Sequence, residues 1–246
     1  MSTSEPSSNS SSTLAEKWKL GGPAGYGSYA VEKRIGRLDR SLSLAGMRVL
    51  DLGCGNGCYT QELSSRAGSV VGLDFQMSNL QAFRQAISRV QGIAENLPFS
   101  SESFDVVTII EVLEHTHSDV RVMHECFRVL RPQGRLVVFA PNKVYPFESH
   151  PCHLGRVPIG PNIPIVSWLP DWLHSRFCYA RIYTRSRLVA IARTAGFEPE
   201  EIGYIFPPLD SFPAPFKNAY RRTAWILEKT WLGIFGVSIF AVLKRP

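Results

Sequence analysis

Apolar residues along this chain fall into short runs that alternate with amphipathic stretches. Residues 29–42 have apolar side chains at helical spacing and charged side chains largely on the opposite face, which predicts a helix. Residues 49–52, 69–74 and 103–110 form short, mostly apolar runs that indicate buried strands. This alternation of strands and helices predicts a mostly parallel sheet with right-handed crossovers.

A glycine-rich loop follows the first of these strands. Asp51 lies near the end of the strand, and Gly53, Gly55 and Gly57 occupy every second position of the loop. Glycine is needed where φ is positive or where a ligand lies too close for a Cβ. The next strand ends at Asp74, where a nucleotide-binding βαβ unit has its ribose-binding carboxylate. Together these features indicate a cofactor that contains adenosine.

The spacing of the glycines separates two classes of cofactor. A dinucleotide site requires G-x-G-x-x-G, and Cys58 occupies the position of its third glycine. The start of the following helix also lacks the lysine of a phosphate-binding P-loop. The pattern resembles instead the first motif, D/E-x-G-x-G-x-G, of the class I methyltransferases that depend on S-adenosylmethionine (SAM).

Later segments resemble the same family and occur in the same order. They are residues 92–99 (the segment that contacts adenine), 103–115 (the fourth strand and its loop), 128–134 (the turn before the fifth strand) and 184–197 (the late helix and the sixth strand). The resemblance extends from about residue 26 to residue 205, and residues 236–244 fit the last strand. It is strongest to the branch that contains quinone-biosynthesis and other small-molecule methyltransferases.

The resemblance implies an α/β fold, the Rossmann-like class I methyltransferase sandwich. Its seven-stranded sheet is mostly parallel, with an antiparallel last strand and helices on both faces. Residues 14–246 are expected to form one domain with lid-like insertions at 142–183 and 207–232. Residues 1–13 are almost entirely polar and are expected to form a disordered tail, because they cannot bury enough apolar surface.

The resemblance also implies SAM as the cofactor. Asp51 is expected to anchor the methionine end, directly or through the loop and water, and Asp74 is expected to accept both ribose hydroxyls. Ile93 stands where the family usually has an acidic residue. Either a backbone carbonyl therefore accepts from the adenine amino group, or adenine is bound mainly by apolar stacking. The expected cofactor contacts are Asp51, Gly53, Gly55, Gly57, Asp74, Phe75, Ala94, Glu95, Ile110 and Glu111.

Three histidines are candidates for a catalytic base. His115 follows the fourth strand, and His150 and His153 follow the fifth. A histidine near its ordinary pKa can deprotonate a phenol or another hydroxyl at neutral pH, although an acidic nucleophile needs no base. The segment from His150 to His153 lacks the four ligands of a closed zinc site, and no metal is expected. Five cysteines without a C-x-x-C pair favour reduced thiols and a cytoplasmic location.

The excess positive charge lies in the C-terminal part of the chain. Basic and acidic residues balance over residues 1–141, so the net charge of +6 belongs to residues 142–246, which are also rich in aromatic side chains. This composition predicts a small apolar or amphiphilic substrate. Residues 216–231 can form an amphipathic helix, and peripheral contact with a membrane is one reading of its basic and aromatic residues.

Three hypotheses for the function follow from these observations. The first is a SAM-dependent methyltransferase that acts on a small aromatic or lipophilic acceptor and binds no nucleic acid. The second is a metal-dependent RNA 2′-O-methyltransferase of the plant small-RNA type, whose ligand set resembles Glu111, Glu114, His115 and either His150 or His153. The third is a non-catalytic protein of the same fold, although the intact glycine loop argues against loss of the cofactor site.

Overall fold

The computed structural model describes residues 28–83, 87–155, 157–208 and 214–246. The tail expected at residues 1–13 lies outside these ranges. The described part begins with helix α1 (Ser28–Ser41), which confirms the helix predicted for residues 29–42.

Strands and helices alternate from residue 48 to residue 141. The elements are β1 (Arg48–Leu52), α2 (Cys58–Ser64), β2 (Ser69–Asp74), α3 (Met77–Gln81), β3 (Ser88–Gln91), β4 (Phe104–Ile110), α4 (Asp119–Val129) and β5 (Leu130–Pro141). Ser118 caps α4, because its Oγ accepts a hydrogen bond from the Arg121 N–H at 3.3 Å. The three strands predicted before residue 111 are confirmed to within one residue.

An insertion follows β5 and precedes the last part of the domain. It contains β6 (Phe147–Glu148), β7 (Cys152–Leu154), β8 (Val157–Ile159), β9 (Ile163–Pro164) and α5 (Asp171–Phe177). The chain ends with α6 (Arg185–Thr194), β10 (Glu198–Ile205), α7 (Ala214–Glu228) and β11 (Ser238–Lys244). Helix α7 lies in the insertion predicted at residues 207–232.

Within the described residues, seven strands form one sheet in the order β10-β11-β5-β4-β1-β2-β3. Strands β1 to β5 pair in parallel, and β11 is antiparallel to both β5 and β10. This arrangement confirms the predicted mostly parallel sheet with an antiparallel last strand. From β1 the chain adds β2 and β3 on one side of the sheet, and from β4 it adds β5 on the other side, so the strand order reverses between β1 and β4. Ligands bind at the carboxyl ends of strands at such a reversal of strand order.

Both faces of the sheet are covered, which explains the continuous apolar runs in its central strands. Val107 and Ile109 of β4 belong to one buried cluster, together with Leu188 of α6. Val106 belongs to the opposite cluster, together with Ile35 of α1. Successive side chains of a strand point to opposite faces, so a single apolar run supplies both cores.

The insertion is held together by short pairings within it. Strand β6 pairs with β9, and β7 pairs with β8. A disulfide joins Cys152 to Cys178, whose Cα atoms lie 4.1 Å apart on neighbouring extended segments. The prediction of five reduced thiols is therefore wrong for this pair. A separation of 26 residues carries no local sequence signal, and only the reversal of the chain brings the two sulfurs together.

No helix in the described residues is long and apolar enough to cross a membrane. Residues 231–243, which are apolar in the sequence, form a short 3₁₀ helix and most of strand β11. The last strand predicted at residues 236–244 is thereby confirmed.

Candidate active site

Asp51 joins three elements beneath the glycine loop. Its Oδ2 accepts a hydrogen bond from Thr60 Oγ1 at 2.6 Å, and its Oδ1 accepts one from Thr108 Oγ1 at 2.9 Å. The carboxyl is buried, and burial raises its pKa to about 6 even though both hydroxyls favour the charged form. Asp51 therefore fixes α2 and β4 against β1, and this positions the loop that begins two residues later.

The raised pKa of Asp51 predicts that an Asp51→Asn variant is more stable at neutral pH. A folded-state pKa near 6, above the unfolded value of 3.8, means that the wild type loses stability as the pH rises between these values. Two pKa units correspond to a few kcal/mol as an upper bound. We expect the variant to gain about 1–3 kcal/mol at pH 8 and nothing at pH 4, as measured by urea unfolding. A gain that does not change with pH would contradict this account.

Asp74 links the glycine loop to the start of α3. Its Oδ2 accepts a hydrogen bond from the Gly55 N–H at 2.9 Å. Its Oδ1 accepts from the Gln76 N–H at 2.8 Å and from Asn79 Nδ2 at 3.1 Å. A carboxylate has about four acceptor positions, so with three in use one remains for a ligand hydroxyl, fewer than the two ribose hydroxyls expected from the sequence. The residue predicted to bind the ribose thus also holds the glycine loop, which is itself a predicted cofactor contact.

Two of the three loop glycines are required by the backbone and by packing. Gly53 and Gly57 have φ values of +77° and +87°. A Cβ on Gly57 would lie 2.4 Å from the Phe83 ring, and a Cβ on Gly53 would lie 2.4 Å from Val112 Cγ2. The sequence predicted the backbone requirement, whereas the two side chains that exclude a Cβ come from other elements.

A cavity of about 370 Å³ opens beside Asp74 at the carboxyl ends of β2 and β3. Its lining residues are Phe75, Gln91, Gly92, Ile93, Asn96 and Pro98. Phe75 and Ile93 expose 40% and 54% of their surface, so two apolar groups are available to a flat ring. These residues fit the adenine of SAM, and the two exposed apolar side chains are suited to apolar stacking, one of the two alternatives that the sequence left open.

Ala94 and Glu95, the next residues along the loop, make contacts within the protein and do not line this cavity. Ala94 packs against the buried core. The Glu95 carboxylate accepts hydrogen bonds from the His117 N–H at 2.6 Å and the Ser118 N–H at 3.3 Å. Glu95 therefore connects the segment after β3 to the loop that follows β4.

Glu111 leaves β4 with a positive φ of 55° and makes a buried ion pair. Its Oε1 lies 2.8 Å from Arg34 Nη2 and accepts a hydrogen bond from Ser238 Oγ at 2.5 Å. Burial opposes ionisation, but Arg34 and Ser238 lower the pKa of Glu111 overall. Sequence analysis missed both partners, because a charged residue on an amphipathic helix is usually exposed. Ile110, the preceding residue, is buried.

A cluster of carboxylates and imidazoles lies between the loop after β4 and the insertion. Glu114 is buried, and neither of its oxygens has a hydrogen bond. His115 Nε2 and His150 Nε2 lie 3.8 Å and 3.6 Å from Glu114 Oε1. The two rings meet edge to face with their centroids 5.5 Å apart. The structure thus brings together two of the three predicted catalytic histidines.

Glu148 and His174 complete this cluster, and neither was predicted. Glu148 Oε1 accepts from the backbone N–H of His150 at 2.9 Å and lies 3.1 Å from its Nδ1. Glu148 Oε2 lies 2.7 Å from His174 Nε2. His153 is separate: its Nδ1 contacts the Gly155 carbonyl and its ring packs on Tyr179.

The environment gives the two clustered imidazoles different charges. Burial lowers the pKa of His115 despite the nearby Glu114 carboxylate. Burial also opposes a charge on His150, but Glu114 and Glu148 outweigh it and raise the pKa of His150 to about 10. At neutral pH His115 is therefore neutral and able to accept a proton, whereas His150 is a cation between two carboxylates.

Three of these side chains have the donors that a divalent cation uses. One ligand atom each from Glu114, His115 and His150 lies within 4.8 Å of the others. The fourth ligand considered from the sequence, Glu111, instead has its carboxylate on Arg34 and Ser238. In the described part of the chain, the four-ligand set of the RNA-methyltransferase hypothesis is thus assembled only in part.

A second cavity, of about 500 Å³, has three members of this cluster, Glu114, His115 and His174, on its wall. Glu114 and His115 line one side, and Trp172 of α5 and Tyr179 lie on the insertion side. The Arg181 guanidinium donates to the backbone carbonyls of Thr116 and His117, which fixes the loop that carries His115. The cavity has mixed polar and apolar walls and lies under the segment predicted to be a lid.

Comparisons with known proteins point to one family. A sequence family described as a methyltransferase domain matches residues 50–138. A ubiquinone biosynthesis O-methyltransferase of Dechloromonas aromatica is 31% identical over 188 residues, which cover 72% of this chain and 75% of that protein. The enzyme of the same name from Pseudomonas entomophila is 30% identical over 190 residues, with the same coverage.

Solved structures of SAM-dependent methyltransferases have the same fold. One from Mesorhizobium loti matches with a TM-score of 0.59 and 21% identity, covering 85% of this chain and 96% of that one. Another, from Thermotoga maritima, matches with a TM-score of 0.59 and 18% identity, covering 96% of both chains.

Proposed function

Since this chain belongs to the class I SAM-dependent methyltransferases, we propose that it methylates a hydroxyl of a small aromatic or lipophilic acceptor. The observation that carries this proposal is the position of His115 on the wall of the 500 Å³ cavity, next to the buried Glu114 carboxylate. Burial lowers the pKa of His115, which favours the neutral imidazole that a base needs. The relatives from Dechloromonas and Pseudomonas are named as O-methyltransferases, and this supports oxygen as the acceptor atom.

The residues of this chain divide the chemistry between two regions. SAM, when bound, supplies an electrophilic methyl group on a sulfonium. Asp74 and the glycine loop bind the cofactor, and the walls at Phe75 and Ile93 accept its adenine. The acceptor hydroxyl binds in the second cavity, and His115 takes its proton as the oxygen attacks. Bringing both reactants together at fixed positions is the other large contribution of the protein.

Glu114, His150 and Glu148 support His115 in this scheme. When His115 accepts a proton it becomes an imidazolium, and the Glu114 carboxylate 3.8 Å away stabilises that charge. The cationic His150 lies between Glu114 and Glu148, and its attraction to both carboxylates holds the buried Glu114 side chain in place. A carboxylate within about 4–6 Å favours the charged form of a histidine, because the opposite charges attract each other.

A methyl-transfer assay with matched acceptors tests the proposal. The probes are a catechol with an alkyl side chain and the same compound without its hydroxyls, each incubated with SAM and EDTA. We expect methylation of the catechol only, detected by mass spectrometry, because the proposed base needs no metal. Absence of transfer to any hydroxyl compound in a broad panel, with SAM bound, would contradict the proposal.

A second candidate function is favoured by one observation, the proximity of Glu114, His115 and His150. These three residues resemble part of the ligand set of a metal-dependent RNA 2′-O-methyltransferase. The same assay distinguishes the two functions when a short RNA replaces the catechol. Activity on RNA that EDTA abolishes and manganese restores would support this candidate and overturn the first.

We also propose that the C-terminal part binds a lipid surface. Trp225, Ile226 and Ile234 are exposed, and Trp231 is exposed over 73% of its surface. The Lys229 ammonium lies 5.0 Å from the centre of the Trp225 ring, so a basic group adjoins the apolar patch. Exposed rings beside basic groups are suited to the interface of an anionic membrane.

Vesicle sedimentation tests this surface. The wild type is expected to bind vesicles that contain anionic lipid and to be released by salt, because the attraction is partly electrostatic. A Trp225→Ser/Trp231→Ser variant should bind at least about tenfold more weakly, whereas Val120→Ser, on the exposed face of α4, should bind like the wild type. Wild-type protein that stays in the supernatant at low salt would contradict the proposal.

A further inference from the structure

The insertion between β5 and α6 contains a second group of metal-ligand side chains. Glu148 on β6, His174 on α5 and Cys178 directly after α5 are all buried. A carboxylate oxygen, an imidazole nitrogen and a sulfur from these residues lie within 4.8 Å of one another. Cys152, at the start of β7, adds a second sulfur next to that of Cys178, to which it is bonded.

We propose that Cys152, Cys178, His174 and Glu148 bind a zinc ion when the disulfide between the two cysteines is reduced. Structural zinc sites have four ligands of these types in a closed tetrahedron, with bonds of about 2.0–2.3 Å. Such bonds place the ligand atoms about 3–4 Å apart, so the ligand atoms of Glu148, His174 and Cys178 require shifts of only about 1 Å. The sulfurs of Cys152 and Cys178 move apart to the same spacing once the bond between them is broken. All four residues are buried, and four protein ligands leave no coordination position open.

The two states exchange by ordinary thiol chemistry. Two molecules of a low-molecular-weight thiol reduce the Cys152–Cys178 bond, giving two cysteine thiols and one oxidised thiol dimer. Zinc binding then releases the two thiol protons, because the thiolate is the metal ligand. The disulfide and the zinc ion are therefore mutually exclusive occupants of one position.

Either state holds together the same parts of the insertion. In the disulfide form, Cys152 is bonded to Cys178, and Glu148 Oε2 lies 2.7 Å from His174 Nε2. The zinc ion replaces both links with metal–ligand bonds. Glu148 Oε1 still accepts from the His150 N–H at 2.9 Å, so the site also fixes the segment that carries His150. The zinc site does not depend on which acceptor the protein methylates.

Cobalt substitution tests the site without any activity measurement. The full chain is reduced, freed of the reductant without oxygen and titrated with Co²⁺, followed by Zn²⁺. We expect one Co²⁺ per chain, with the charge-transfer absorption of thiolate ligation, and its displacement by Zn²⁺. The oxidised wild type is expected to lack this absorption, because a disulfide supplies no thiolate.

Variants assign the ligands. The double variant Cys152→Ser/Cys178→Ser should lose the thiolate absorption, and Cys152→Ser alone should keep about half of it. The control variant Cys58→Ser should show the same absorption as the wild type. His174→Gln keeps both thiols and should weaken Co²⁺ binding at least about tenfold. This variant tests the site even if the double cysteine variant does not fold. Cobalt bound without thiolate absorption, or absorption that survives in a folded double variant, would overturn the proposal.

Discussion

Replacing His115 with glutamine is expected to lower kcat by roughly 10²–10⁴-fold, which is the usual contribution of a positioned general base. Glutamine occupies a similar volume and forms hydrogen bonds, but it cannot accept a proton at neutral pH. The affinity for SAM should stay within about twofold, because the adenine cavity and Asp74 lie on other strands. Steady-state kinetics gives kcat and KM, and calorimetry gives the SAM affinity.

His117 provides a matched control for this experiment. It lies two residues further along the same loop, and its side chain is 99% exposed. His117→Gln should therefore keep wild-type kcat. Thermal unfolding of both variants checks that a loss of activity is not a loss of folding. Wild-type kcat in a folded His115→Gln variant would show that this residue is not the base.

Replacing Asp74 with alanine is expected to weaken SAM binding by tenfold to a thousandfold. Hydrogen bonds to a charged group contribute roughly 1.5–3 kcal/mol each, and Asp74 is proposed to accept from the ribose. The substitution also removes the acceptor of the Gly55 N–H, so the glycine loop loses one of its anchors. Titration calorimetry with SAM measures the change.

Two further variants test whether a loss of SAM affinity is due to the Asp74 carboxylate itself. Asp74→Asn keeps one acceptor oxygen and should bind SAM with intermediate affinity. Asp39→Ala removes a surface carboxylate that pairs with Arg66, and this variant should bind SAM like the wild type. Unchanged affinity in a folded Asp74→Ala variant would remove this residue from the cofactor site.

The local signals in the sequence are sufficient for the sheet and for the cofactor side. Apolar runs predict strands because a strand covered on both faces needs apolar side chains at every position. The glycine loop is likewise a local signal, because positive φ values are required within a few residues. Asp74 is recognised locally too, because it is the last residue of an apolar strand. The two strands are confirmed at residues 48–52 and 69–74, and Gly53 and Gly57 have the positive φ values predicted for the loop.

The acceptor side of the protein depends on residues that are far apart in the chain. His150 and His153 look alike in the sequence, yet only His150 reaches Glu114. Glu148 and His174 carry no motif that marks them, although they fix the position and the charge of His150. Their pairing follows from the path of the insertion, which no periodicity of apolar residues encodes.

The burial of a charged side chain is also not predictable from the local sequence. Arg34 lies on a helix whose pattern predicts an exposed basic face, but the helix packs over the ends of β4 and β11 and places Arg34 against Glu111 and Ser238. A buried charge is costly without a partner, so the identity of the partner decides whether the residue can be inside at all.

The sequence by itself thus determined the strand and helix order, because that order depends on local backbone form and on the alternation of apolar residues. Its motifs, through their resemblance to the class I methyltransferases, also indicated the class I fold and SAM as the cofactor. Only the tertiary structure decided which histidine is neutral, which two carboxylates lie against His150 and which cysteines form the disulfide. Those properties arise from distances between remote segments and from the loss of water around them, and both exist only after the chain has folded.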